Sequence, residues 1–399
     1  MIVVPSRMGR LNKRTLLGHL RRMGTASRAD LAKSLGLSQP TAGKIVDELL
    51  EMGVFEEVHE SPDAKRVETP VKAGRPARML RLNRSKRHFL AIQMGIQQTD
   101  FALASVGWSG DDEWVSHIET PDSAKDLLKK LRATAESIPE KNFWGILVSV
   151  PGVVDERTSK VLYSPNLHWT ENADLPALVG QVWKTPTILV QEEHALALGH
   201  QAADAEGEDF LLVDFGDGVG GAVVMAGKLS AHPLPISGEL GHTPVIGNDR
   251  NCGCGATGCL ETLASTRGLL QSFSTAKPGA TRSWQSLTAS IQANGVEPWL
   301  AISLDSIAGV IAGALNVLGL RRVVITGSIN DLPAVVLSHL STSISKGALW
   351  ARFGEIKVEG APRRRVAGLV AAGLDQLVMP MAESERNQET LLHISAAHG

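Results

Sequence analysis

Cys252, Cys254 and Cys259 are all the cysteines this 399-residue chain has, and all three fall inside one segment, Ser237–Thr262. That segment reads Ser-Gly-Glu-Leu-Gly-His-Thr, then a connector, then Cys-Gly-Cys-Gly-Ala-Thr-Gly-Cys-Leu-Glu-Thr, with His242 ten residues before the first thiol. Three thiols and one imidazole complete a tetrahedral zinc shell and leave no position for a reactive water, so the metal expected here is structural. Glycines at 253, 255 and 258 let the backbone turn tightly enough for three thiolates to converge. The competing reading, three unpaired buried cysteines, does not account for a Cys-x-Cys-x4-Cys spacing. The expected zinc loop, 237–262, carries Glu239, His242 and Glu261, polar side chains that could face a ligand.

The chain is long enough for two or three domains with their own cores. A hydrophobic share of 43% against 21% charged residues describes an ordinary soluble globular protein. No apolar run is expected to reach bilayer-spanning length, and the first residues lack a basic stretch followed by an apolar one. Thiols grouped for metal suit a reducing compartment, so a cytoplasmic protein without a membrane partner is expected. Net charge is −2, unevenly spread: residues 1–90 hold 18 Lys/Arg against 9 Asp/Glu, and the remainder 22 against 33. A head of +9 on a body of −11 argues that only the head meets a polyanion.

In that head, Leu11, Leu16, Leu17, Leu20 and Met23 recur at helical spacing until Gly24. Ser27 then offers an N-cap to a second helix with Asp30 in its first turn. After Gly36, Ser38 caps a third helix with Pro40 in its first turn, where a missing N–H does no harm. Short helix, glycine turn and longer helix make a helix-turn-helix, whose last helix points its N-terminal residues at base edges. Here these are Ser38, Gln39, Thr41 and Lys44. Strands at Val54–Val58 and Ala77–Leu82 flank a polar loop and form a wing. Arg75, on the stiff Gly74-Arg75-Pro76 turn, is suited to a narrow minor groove. A three-helix protein-interaction module is the alternative; the charge and Arg75 favour operator DNA. The DNA-binding domain is placed at 1–83, with a linker near Asn83–Arg87.

From residue 88 strands and helices alternate: a hairpin from His88, a helix over Ser123–Ser137, strands at Trp144–Val150, Val153–Asp155 and Thr187–Gln191, and a helix over Glu193–Ala203. A hairpin, Phe210–Phe215 and Gly221–Met225, encloses Gly216-Asp217-Gly218-Val219-Gly220. A helix at Ser303–Leu318, a strand at Arg322–Ile325 and a helix at Val366–Met379 close the chain. This is α/β layering. The Ser384–Gly399 tail is polar and aperiodic, expected to fray or pack loosely.

The winged helix-turn-helix, Gly-Arg-Pro, Pro-Gly-Val-Val-Asp, Ser-Pro-Asn-Leu-His-Trp, Gly-Glu-Leu-Gly-His and Cys-x-Cys-Gly-x2-Gly-Cys-Leu-Glu together resemble the ROK family (repressors, open reading frames, kinases) across essentially the whole chain. The resemblance implies an actin-like or sugar-kinase-like α/β domain over 88–399, in two lobes of about 88–190 and 191–380 with a hexose in the cleft. Members with such a head are regulators of sugar use, and members without it are mostly ATP-dependent sugar kinases. By resemblance Asn166, Glu239, His242 and Glu261 contact sugar hydroxyls, and Trp169 beside Asn166 could line the cleft. The family's catalytic Asp corresponds to Glu192, whose carboxylate is displaced by one methylene, a shift that costs positioning. The first phosphate loop is reduced to Gln93-Met94-Gly95-Ile96-Gln97, and the second carries Asp217, which would face a triphosphate with like charge. Loss of catalysis is expected. The reading is a non-enzymatic transcription regulator, most naturally a repressor, working as a homodimer or dimer of dimers on operator DNA and modulated by a sugar near Asn166, Glu192, Glu239, His242 and Glu261. The alternatives are a working sugar kinase with a DNA-binding head, and a regulator governed by a protein partner.

Overall fold

The computed structural model describes residues 5–58, 78–86, 88–204, 207–230 and 237–380. Arg75 with its Gly-Arg-Pro turn, and the tail from Ser384, lie outside the described residues.

The head is built as its capping residues dictate. Helix α1 (Pro5–Met23) leads through β1 (Ala26–Ser27) into α2 (Arg28–Ser34), where Ser27 and Asp30 form a reciprocal capping box. Helix α3 (Gln39–Glu51) starts at Ser38, whose side chain accepts from the Thr41 N–H. Strands β2 (Phe55–Val58) and β3 (Met79–Leu82) pair antiparallel, and β1 adds to the other edge of β3. Leu16, Leu20, Leu31, Val46, Leu49 and Leu80 fill the core between helices and wing. The expected linker is not loose. The Asn83 side-chain oxygen accepts from the Ser85 and Lys86 N–H groups, its own N–H donates to the Val54 carbonyl, and its carbonyl accepts from the Gly107 N–H.

The first lobe carries β4 (Phe89–Met94), β5 (Gln98–Ala104), β6 (Ser116–Glu119), α4 (Ala124–Ser137), β7 (Gly145–Val150), the small hairpin β8 (Val153–Asp155) and β9 (Lys160–Tyr163), α5 (Leu175–Trp183) and β10 (Thr187–Gln191). Its sheet runs β10-β7-β4-β5-β6, parallel across its first three strands and antiparallel beyond. The second lobe begins with α6 (Glu192–Ala203), β11 (Phe210–Phe215), β12 (Val219–Met225) and β13 (Lys228–Leu229). It continues through α7 (Glu261–Ala264), α8 (Thr266–Ala276), α9 (Trp284–Asn294), α10 (Pro298–Leu318), β14 (Arg322–Gly327), α11 (Ala334–Gly347) and β15 (Lys357–Gly360). This sheet is ordered β13-β12-β11-β14-β15.

The chain then returns to the first lobe. Helix α12 (Arg365–Gly373), extended by a π-helical turn at Leu374–Val378, lays Val366, Leu369 and Val370 against Phe89, Ala91, Leu147 and Val190. The lobe boundary expected from sequence kept this segment with the second lobe. Helix α6 crosses α12 at glycines: a Cβ on Gly368 would lie 1.6 Å from the Ala195 carbonyl oxygen, and one on Gly199 2.0 Å from that of Arg364. Only glycine admits this approach.

One expectation fails at α10. By length and composition this 21-residue helix is apolar enough to span a membrane. Its composition follows from packing, because Leu300, Leu304, Ile307, Ile311 and Leu315 form one buried face in the larger core.

Candidate ligand cleft, metal cluster and nucleic-acid interface

His242 follows a single 3-10 turn after Glu239, and the two bridge pairs Pro244–Cys259 and Asn251–Thr257 fold the cysteine segment back against it. The ligand atoms of His242, Cys252, Cys254 and Cys259 lie within 4.8 Å of one another. His242 Nδ1 stands 3.7 Å from Cys252 Sγ, and Cys254 Sγ 3.8 Å from Cys259 Sγ. Zinc–sulfur bonds of about 2.3 Å in a tetrahedron require edges of about 3.8 Å, so the cluster has the size of a closed metal shell. With no cation, burial and the neighbouring thiols push the Cys259 thiol up to about 12. The four residues can hold a metal ion.

The same imidazole turns its other nitrogen toward the cleft: Nε2 lies 3.7 Å from Glu239 Oε2. Glu239 is held above the usual carboxylate range by burial, with His242 acting the other way and Glu261 adding repulsion. Glu261 opens α7 and accepts from the Val219 N–H at 3.1 Å, placing its carboxylate over the glycine turn at Gly218. Glu239, His242 and Glu261 therefore meet on one wall. Asn166 is exposed in the turn after β9, and no hydrogen bond joins it to that wall. Trp169 is packed inward on the first-lobe core, not held out to line a cleft.

Around the same glycine turn lie groups the sequence reading missed. Arg365 donates from Nε and Nη2 to Glu192 Oε1 at 2.8 and 2.6 Å. Arg363 grips Asp214 with Nε on Oδ1 and Nη2 on Oδ2, both at 2.7 Å, and the Thr326 hydroxyl donates to Oδ1 at 2.6 Å. Burial alone would raise Asp214; Arg363 and Thr326 outweigh it and hold the carboxyl below its ordinary value. Glu193 has no such partner, and burial with Glu192 beside it pushes it up to about 8. Its carboxylate lies against Gly220. The Arg363-Arg364-Arg365 run was visible in the sequence, but nothing local says which acids it meets.

Around the first loop, Gln93 and Ser149 are register partners on β4 and β7, both buried, and neither Gln93 Oε1 nor Ser149 Oγ has a hydrogen-bond partner. Asp217 stands exposed in its turn.

On the head, Ser38, Gln39, Thr41 and Lys44 are all exposed on one end of α3. The Ser38 hydroxyl is engaged, 2.8 Å from the Thr41 hydroxyl, so the two present a joined polar patch. Arg28 fixes the helix from behind through Asp47 at 2.6 Å.

A winged-helix head on a two-lobed sugar-kinase-like body, with a three-cysteine cluster at the cleft, defines the class. The chain belongs to the ROK family, which matches residues 89–370, and residues 10–56 match the winged helix-turn-helix DNA-binding family. It is 26% identical over 356 residues to the xylose repressor of Caldicellulosiruptor bescii, covering 84% of this chain and 87% of that protein. It is 30% identical over 186 residues to N-acetylmannosamine kinase of Escherichia coli O157:H7, covering 45% of this chain and 62% of the kinase. A solved ROK family transcriptional regulator, a homolog of the E. coli MLC protein, superposes with a TM-score of 0.71 at 20% identity, covering 92% of this chain and 97% of that one. The fold expected from the motifs holds for head and body alike.

Proposed function

We propose that this protein is a sugar-responsive DNA-binding repressor of sugar-utilisation genes whose cleft binds a neutral sugar and does not phosphorylate it. The observation that carries the reading is the Arg365–Glu192 pair. The carboxylate at the position of a kinase's base is held by two charge-assisted bonds, and a base so engaged is a poor proton acceptor. The xylose repressor resemblance points to an aldose. Glu239 and Glu261, which no arginine pairs among the described residues, suit hydroxyl donors and would repel a phosphorylated sugar.

In this reading His242, Cys252, Cys254 and Cys259 hold structural zinc, which fixes the loop that presents Glu239 and Glu261. Ser38, Gln39, Thr41 and Lys44 meet the major groove and Arg75 the minor groove. A homodimer in the cytoplasm supplies the second half-site contact that one head lacks. Asn166, exposed after β9, is the remaining candidate for a sugar contact in this reading.

The test is calorimetry with D-xylose, D-glucose and N-acetylmannosamine beside a coupled ATPase assay. Binding of one sugar without ATP turnover is expected. Steady hexose phosphorylation would favour the kinase reading, for which the resemblance to N-acetylmannosamine kinase speaks.

A further inference from the structure

Helix α12 begins in the cleft and ends on the head. At its start, Arg365 holds Glu192, while the Arg365 and Val366 N–H groups donate to the Asp112 carboxylate at 3.1 and 2.8 Å. At its far end the helix loosens into the π-helical turn, closed by the Met379 N–H donating to the Leu374 carbonyl at 2.9 Å. There it meets α1. Arg14 Nη1 donates to the Met379 carbonyl at 2.9 Å, and the same guanidinium pairs with the Asp375 carboxylate. One face of α1 further along, Arg21 Nη2 donates to the Ala367 carbonyl at 3.2 Å. Between the two arginines, Leu17 belongs to the cores of both head and body, as do Trp144 and Val378.

The helix is packed too closely to bend along its length. Gly368 sits against the Ala195 carbonyl, and a Cβ on Gly373 would meet Leu147 at 2.7 Å. Its soft point is the π-helical turn, since such single turns inside α-helices lie close in energy to the α arrangement and recur at functional sites. A force on Arg365 is therefore delivered to Asp375 and Met379.

We propose that the Glu192–Arg365 ion pair is a latch released by ligand, and that α12 with its π-helical end transmits the state of the cleft to the DNA-binding head through Arg14 and Arg21. The proposal rests on the reading of the cleft as a sugar site. A hydroxyl that donates to Glu192 competes with the Arg365 guanidinium for Oε1. Loss of that anchor removes one of the side-chain holds on the first turn of α12, leaving Asp112 and Arg21, and the π-helical turn takes up the shift. Differential contact of this kind is what a ligand needs to shift a two-state equilibrium.

A double-mutant comparison tests this without any sugar. The probe is a duplex enriched by the full-length wild-type protein from a random pool. Glu192→Gln removes the charge and keeps the shape, and is expected to change the dissociation constant for that duplex at least fivefold. In the Arg14→Met/Arg21→Met background the same substitution is expected to change it less than twofold, and Arg14→Lys with Arg21 intact to restore the coupling. Equal fold-changes in both backgrounds, or no change from Glu192→Gln in an otherwise wild-type chain, overturn the proposal. Hydrogen exchange on the wild-type protein is a second measurement that survives poor folding of any variant. The sugar found by calorimetry is expected to speed exchange of the amides at 374–379, and undiminished protection there with sugar bound also overturns it. If none of D-xylose, D-glucose and N-acetylmannosamine binds, the sugar reading has failed, and the variant comparison still decides the latch.

Discussion

In the metal loop Glu239 and Glu261 have no arginine on either, among the described residues, whereas Glu192 and Asp214, on α6 and β11, are each held by an arginine flanking the start of α12. Both pairs are acidic, and chain packing alone separates their roles. The first presents carboxylates with acceptor capacity left beyond the Val219 N–H on Glu261 and the His242 imidazole beside Glu239. In the second, Asp214 and one oxygen of Glu192 are engaged by arginine, so removing either arginine would leave a buried charge uncompensated.

The division can be broken most severely from the metal side. Cys259→Ser should remove metal from the chain, read as a fall from about one zinc per protein to none by mass spectrometry. The melting temperature is expected to drop by about 5 °C or more and sugar binding to vanish, because metal binding supplies the folding energy of the loop. Next in size is Arg363→Met, which strands the buried Asp214 carboxylate and should cost about 3–5 kcal/mol in denaturant unfolding. The Asp214 carboxyl is depressed in the folded state, so the stability it contributes is present above its unfolded value and lost as pH falls through the folded one. The deficit of Arg363→Met should accordingly shrink in acid; a deficit unchanged by pH would place its cause in packing.

Glu261→Gln should weaken sugar binding by roughly tenfold to a hundredfold, about 1.4–3 kcal/mol, with a smaller effect on unfolding. Equal losses of binding and stability would mean that this carboxylate serves the Val219 turn and not a ligand. The smallest effect belongs to Glu193. Its carboxyl is pushed up to about 8, so between its ordinary value and that pH the folded chain binds a proton the unfolded chain has lost. Stability should therefore decline as pH rises across this window, and Glu193→Gln should flatten the decline by about 1–2 kcal/mol near pH 8. An unchanged slope would show that Glu193 is not the group responsible.

Much of this molecule was legible along the chain. Ser27 and Ser38 announce their helices because a cap is a contact within three residues, and both form as expected. The clustering of His242 with the three cysteines was readable for the same reason: the four residues lie in one short segment, and thiol chemistry restricts what such spacing can do. Family motifs carried the order of the lobes. Several elements of the second lobe, α8, α9 and α11 among them, carry a single apolar face at helical spacing, as in Val336, Leu340 and Ile344, and the sequence reading left them unassigned.

What the sequence could not decide is which distant charges meet. Arg363 reaches Asp214 across 149 positions and Arg365 reaches Glu192 across 173, and no local rule links them. Only the return of α12 to the first lobe, permitted by the glycine contact with α6, brings those pairs together and sets the same helix against α1. Local chemistry thus determined the caps, the His/Cys cluster and the family of the fold. Tertiary packing decided which carboxylates remain open, since the free energy of a charge depends on neighbours that chain order does not specify.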